Sequence, residues 1–190
     1  MDAITLLTAD HNRVRGLFKR FQTAEEKDKT EEMAKLAELI FEQLTVHTSI
    51  EESTFYPAVK KQSDDIKDTV DEGLEEHMVA KRLIDECQSV ETGSDQWKAK
   101  MKVLIESVEH HADEEETEMF PKVRSAFQGD GLERLGQALE QEKKKLGAPV
   151  LADAIDLTKE ELAAKASEQE IPGRSKMDHE QLAATVDPRF

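Results

Sequence analysis

Apolar residues recur along this chain at the three- and four-residue spacing of an α-helix, and in each long stretch a polar residue stands where a leucine is expected. The first stretch predicts a helix from about Asp2 to Glu26. Its stripe is Ile4, Leu7, Val14, Phe18 and Phe21, and His11 fills the slot between Leu7 and Val14. A second helix is expected from Thr30, as N-cap, to about Lys61, with the stripe Leu36, Ile40, Leu44, His47, Glu51, Phe55 and Ala58. Pro57 falls late in it and should bend it or loosen its last turns. The third, from Ser63 or Asp64 to about Val90, runs through Ile66, Val70, Leu74, Ala80, Ile84 and Cys87; His77 is its misfit, with Gly73 one turn earlier. Ser94 opens a fourth helix with the stripe Trp97, Met101, Leu104, Val108, His111, Glu115 and Met119, and Pro121 repeats the place of Pro57. After Gly129–Gly131, a fifth helix over about Leu132 to Lys145 carries Leu135 and Leu139 on one face.

Short loops between the first four helices predict antiparallel neighbours. His11 and His47 are 36 residues apart, and His77 and His111 are 34 apart, so the chain reads as two matched helical hairpins. The expected fold is all-α: an up-down-up-down four-helix bundle with an extra fifth helix, over residues 1–147, and a small helical C-terminal appendage over 148–190. Gly147, Ala148 and Pro149 mark the boundary. Beyond it, Thr158 and Glu161 form a capping box, I-P-G-R-S-K-M reads as an extended turn, and Asp178 opens a last short helix. A piece this small should bury little and is a candidate for mobility.

One motif occurs twice: H-x-x-x-E-E-x-x-x-aromatic-P, from His47 to Pro57 and from His111 to Pro121. Residues four apart stack on one helical face, so each copy offers an imidazole and a carboxylate from one rigid element. A lone H-x-x-x-E is weak, and His110 with Glu114 makes another; counting back from the prolines selects His111 and Glu115. Any one of the core histidines alone reads as an ordinary hydrogen-bonded residue. Six misfits at one level of a bundle do not, because buried carboxylates are costly unless neutralised. A pair of cations would neutralise them, and the mixed ligands suit iron, manganese, zinc or cobalt. If both glutamates bridge, each metal also takes two histidines, and a bridging oxide or hydroxide leaves a position for a small molecule. Val46 is the counterpart of His110, which points to a packing or supporting role there. Glu52 and Glu116 are expected to face solvent or a neighbouring helix, Phe55 and Met119 to wall the site, and Cys87 to be core.

Charge sharpens this picture. The 190 residues carry 26 Lys and Arg against 42 Asp and Glu, net −16, which argues for a soluble protein with no broad affinity for nucleic acid or anionic membrane. A single cysteine excludes an internal disulfide and suits a reducing, cytoplasmic compartment. The first residues lack the basic and apolar regions of a signal peptide, and no stretch approaches the roughly 20 apolar residues of a membrane span.

The series H, H-x-x-x-E, H, H-x-x-x-E, over about residues 1–146, resembles the hemerythrin-like, HHE cation-binding family. The resemblance implies a four-helix bundle with a non-haem di-iron centre: two iron ions, a bridging oxide or hydroxide, and the ligands His11, His47, Glu51, His77, His111 and Glu115. It implies binding of, or reaction with, O2, NO or peroxide. The alternative is a non-catalytic iron, oxygen or redox sensor that signals through the tail. A ferritin-like oxidase fits less well, since such sites use mainly Glu with Glu-x-x-His. Oxygen-carrying members have a fifth histidine one turn from the third-helix ligand, where this chain offers Gly73 and Lys81. A tyrosine ligand is not expected either: Phe55 takes the turn after Glu51, and Tyr56 points about 100° away. One iron should therefore keep an open position or a water. The tail resembles modules similar to the Rho N-terminal motif, which often contact nucleic acid. Its residues 149–190 hold 5 basic and 9 acidic groups, which weakens that role and leaves capping, a protein partner or a homo-oligomer contact.

Overall fold

The computed structural model describes residues 1–189, and every regular element among them is helical. Helix α1 spans Ala3–Glu26, where the Asp2 side chain accepts from the Thr5 amide and caps the start. Helix α2 is Thr30–Ile50, α3 Tyr56–Lys60, α4 Lys67–Gln88, α5 Asp95–Glu114 with Ser94 as its cap, and α6 Phe120–Ala126. Helix α7 is Gly131–Lys145, α8 Lys159–Glu168 and α9 His179–Thr185.

Two apolar clusters fix the direction of each long helix. One holds Phe18, Phe21, Ile40, Ile84, Trp97 and Met101; the other holds Leu7, Ile50, Phe55, Val70, Met119 and Val123. Helices α1 and α4 run from the second cluster to the first, and α2 and α5 run from the first to the second. That is the up-down-up-down bundle the stripes predicted. His11, His47, His77 and His111 each fall where their helix passes from one cluster to the other. The polar layer is thus sealed by hydrocarbon above and below. Cys87 belongs to the first cluster, and burial pushes its thiol up to about 11, as befits a core residue.

The prolines act differently from the expectation of a bend or loosened turns. The helix widens just before each: Glu51–Phe55 and Glu115–Met119 are π-helical turns, in which the amides of Tyr56 and Phe120 donate to the carbonyls of Glu51 and Glu115, five residues back. An α-helical turn would drive the proline ring into the carbonyl four residues earlier. One extra residue in the turn relieves that clash, and the helix resumes as α3 and α6.

The C-terminal segment buries more than its length suggested. Ala154, Leu162, Ala166, Ile171, Leu182 and Val186 form a cluster of their own. The expected caps are present, Thr158 with Glu161 and Asp178 with Gln181. This unit packs on α1 so closely that a Cβ at Gly16 would lie 2.6 Å from the Gln169 carbonyl oxygen.

Candidate metal centre

All six residues of the two hairpins meet in the polar layer. His11 Nε2 and His47 Nε2 are 3.1 Å apart, and His77 Nε2 and His111 Nε2 are 3.0 Å apart. Glu51 lies between the two pairs, its Oε2 3.1 Å from His47 Nε2 and 3.3 Å from His77 Nε2. Glu115 does the same from the other side, its Oε2 3.4 Å from His11 Nε2 and 3.9 Å from His111 Nε2. One hairpin alone cannot make this arrangement, because each carboxylate reaches the lone histidine of the opposite hairpin.

The outer ring nitrogens carry information that the spacing argument missed. His11 Nδ1 is 2.8 Å from Glu116 Oε1, His77 Nδ1 is 3.0 Å from Glu52 Oε1, and His111 Nδ1 is 2.7 Å from Glu76 Oε2. His47 Nδ1 faces Asp10 Oδ2 at 3.9 Å, beyond hydrogen-bond length. Glu52 and Glu116 therefore do face a neighbouring helix, and what they meet there is an imidazole of the polar layer. The signal was present in the repeat: a carboxylate precedes each lone histidine (Asp10, Glu76) and another follows each inner glutamate (Glu52, Glu116). A carboxylate on Nδ1 places the proton there and turns the Nε2 lone pair inward.

Tyr56 corrects the sequence reading. Its hydroxyl donates to Glu115 Oε1 at 2.9 Å and lies 3.4 Å from His77 Nε2. The π turn is the cause, since it puts residues five apart on one face and so brings Tyr56 round beside Glu51. Gly73 makes the room: a Cβ there would sit 2.9 Å from the phenol oxygen. Phe120 holds the matched place in the second hairpin, stacked on His11 with ring centroids 5.9 Å apart, as Tyr56 is stacked on His77 at 5.4 Å. At this place the two halves of the layer differ by one hydroxyl. Phe55 and Met119 are buried beside the layer, as expected of walls.

Charge and packing leave a cation-shaped demand. Both oxygens of Glu51 and Oε2 of Glu115 are buried without a hydrogen-bond partner among the described residues. With three Nδ1 protons directed outward, inward lone pairs and carboxylate oxygens face each other at about 3 Å, which repels unless a cation lies among them. Protons can stand in. Burial depresses the His47 imidazolium, but the Glu51 and Asp10 carboxylates outweigh that and raise its pKa to about 10. His111 is likewise raised, against its burial, by Glu76 and Glu115. Burial and the nearby Glu51 and Glu115 charges hold the Tyr56 proton on its oxygen. The donors fall into two groups, one of His11, His47, Glu51 and Glu115 and one of Glu51, His77 and His111, each compact enough for a metal ion.

A cavity of about 30 Å³ opens beside the four imidazoles, walled by Val14, Phe18, Leu44 and Ala80. That is room for a small molecule beside the imidazoles. His110 lies outside, pointing to solvent beside Glu114 at 3.3 Å, so the register taken from the prolines agrees with its exclusion from the layer. No helix among the described residues is long and apolar enough to cross a membrane.

Comparison with known proteins points the same way. The model of the hemerythrin HHE cation binding domain matches residues 2–123. A curated protein named as a DNA nickase, from Nostoc sp. (strain PCC 7120), is 25% identical over 148 residues, covering 77% of this chain. This chain spans 40% of that protein's length. No solved structure matches the chain. The resemblance of the tail to a Rho N-terminal module is not borne out, since the family match ends at residue 123. With histidine–glutamate groups buried in a helical bundle and this match over most of its length, the chain belongs to the hemerythrin HHE cation-binding family and is a metal-binding helical domain.

Proposed function

We propose that the protein is a non-haem di-iron protein that binds or reacts with O2, NO or peroxide in the cytoplasm. One iron position is formed by His11 and His47, the other by His77 and His111, with Glu51 and Glu115 bridging and an oxide or hydroxide between. The observation that carries this is the pairing of inward Nε2 atoms at 3.0 and 3.1 Å with a carboxylate shared across the pairs. The mixed imidazole and carboxylate donors suit iron among other transition metals.

The chain's own groups divide the work. Glu52, Glu76 and Glu116 orient the imidazoles of His77, His111 and His11, and the two apolar clusters keep bulk water away. The Tyr56 hydroxyl is placed to serve as a further ligand at the His77–His111 position, while Phe120 leaves the His11–His47 position open. Iron held there would supply electron exchange with a small oxidant, and the cavity size suits a diatomic molecule or peroxide. A sensor reading is favoured by one observation, the docking of the C-terminal helix on a buried arginine two residues from His11. Metal analysis with an optical spectrum tests the proposal: two irons per chain and near-ultraviolet absorption of an oxo-bridged pair are expected. One tightly held zinc would refute it.

A further inference from the structure

Outside the six inner residues, four charged side chains are buried among the described residues, Asp10, Arg13, Lys143 and Asp187, and the first three meet in one place. Asp10, Arg13 and Lys143 are 4%, 3% and 4% exposed, where α1, α7 and the end of α9 meet. Lys143 Nζ and Arg13 Nη1 both donate to Asp10 Oδ1, the latter at 3.3 Å. The rest of the guanidinium grips the end of α9. Nε donates to the Thr185 carbonyl at 2.9 Å, and Nη2 donates to the carbonyls of Ala184 and Val186. Terminal carbonyls of a helix have no partner within it, and they form the negative end of its dipole, so a buried guanidinium is a strong fastener there. The other Asp10 oxygen faces His47 Nδ1. A line of polar contacts therefore runs from the last helix through Arg13 and Asp10 to a ligand histidine.

His47 is the ligand whose outer nitrogen stands off. The other three are held at 2.7–3.0 Å, while His47 Nδ1 lacks a hydrogen-bond partner among the described residues. Asp10 is drawn away from it by two cations, and one of these is also where the tail is fastened.

We propose that Arg13 and Asp10 are positioning residues through which docking of the C-terminal unit sets the hold on His47, and hence on the His11–His47 metal position alone. This rests on the metal reading above. With α9 seated, three carbonyls fix the guanidinium, and it fixes Asp10 jointly with Lys143. When α9 lifts, Arg13 loses those acceptors and keeps only Asp10 and Gln43, to which its Nη1 already donates, so the guanidinium is free to shift and to move the carboxylate that backs His47. The Glu76-backed half, on the opposite hairpin, is not touched. Such coupling is reciprocal: metal binding must tighten the tail by the same factor by which the tail tightens metal.

Gly16 offers a way to disturb docking without changing any residue of that line. An alanine there would press its Cβ to 2.6 Å from the Gln169 carbonyl oxygen, on the tail backbone, while favouring α1 itself. The experiment uses the full chain with ferrous iron under anaerobic conditions, with metal counted and amide exchange of residues 179–189 followed by mass spectrometry. Iron binding to the wild type should slow exchange in that segment about tenfold. Gly16→Ala should release one iron to a chelator about tenfold faster and the other at the wild-type rate. Asp10→Asn should abolish the response of tail exchange to iron. If Gly16→Ala does not fold, Arg13→Lys keeps the charge beside Asp10 but loses the three-carbonyl grip, and the same one-iron effect is expected. Two bound irons with an unresponsive tail would overturn the coupling alone, as would equal effects of Gly16→Ala on both irons. Failure of the wild type to bind iron would overturn the metal reading beneath it.

Discussion

Replacing Tyr56 by Phe removes one oxygen atom from a buried place and puts there the residue that the second hairpin carries at Phe120. Packing should survive, because the ring stacking on His77 and its contact with Phe55 do not need the hydroxyl. What is lost is the 2.9 Å hydrogen bond to Glu115 Oε1. A hydrogen bond to a charged group contributes about 2 kcal/mol, and its loss leaves a buried carboxylate oxygen without a donor. For a chain of this length, that corresponds to a fall of roughly 4–8 °C in the melting temperature of the metal-free protein. In the iron-bound protein the expected result differs. The variant should still hold two irons, because the histidines and both glutamates remain. If the phenol oxygen ligates ferric iron, the wild type shows a visible charge-transfer band that the variant lacks. Calorimetry of the metal-free pair and visible spectra of the ferric pair decide it. Unchanged melting together with an unchanged spectrum would refute the role given to Tyr56, and so would loss of both irons.

Other outcomes follow from the same geometry. Glu51→Ala or Glu115→Ala should each lose both metals, since each carboxylate spans the two histidine pairs; two metals retained in both variants, by elemental analysis, would remove the bridging assignment. His111→Ala should lose metal and cost roughly 3–5 kcal/mol through uncompensated buried carboxylates, whereas His110→Ala should leave the two central metals in place. Denaturant titration and metal counting together report this pair. Metal-free protein should lose stability as pH rises. His47 has its folded-state pKa raised from 6.5 to about 10, so its contribution is full below pH 6.5 and vanishes as pH passes about 10. Melting temperature measured across that window should fall without metal and stay nearly flat with it, because a bound ion takes the place of the proton.

The stripes made the bundle and the inner six residues legible because both depend on spacing alone. His11 betrayed itself by standing in a leucine slot, and the two prolines fixed which of His110 and His111 turns inward. Tyr56 was hidden because the α-helical period was carried through a turn that holds one more residue than that period allows. The clue was the aromatic–proline pair five residues after each inner glutamate, which is the place where a widened turn relieves the proline clash. Asp10, Glu52, Glu76 and Glu116 were hidden in a different way. Among 42 acidic residues no single one stands out, and only the match between hairpins separates them from the solvated face. The docking of the tail on Arg13 could not be read at all, since an arginine on α1 carries no mark that distinguishes a buried fastener from a surface charge.

Gly73 and Tyr56 also constrain each other as a pair. The phenol oxygen occupies the space that any side chain at position 73 would need, since even a Cβ there would come within 2.9 Å of it. A histidine at 73 and a tyrosine at 56 are thus mutually exclusive ways of filling one volume, and neither substitution can be judged alone. In a library randomised at both positions and selected for folded, iron-bound protein, the two should covary. Glycine at 73 should accompany a large aromatic at 56, and bulk at 73 should require a small residue opposite. Conventional single-site scanning would miss the alternative solution altogether, because every path to it passes through a clash or a hole.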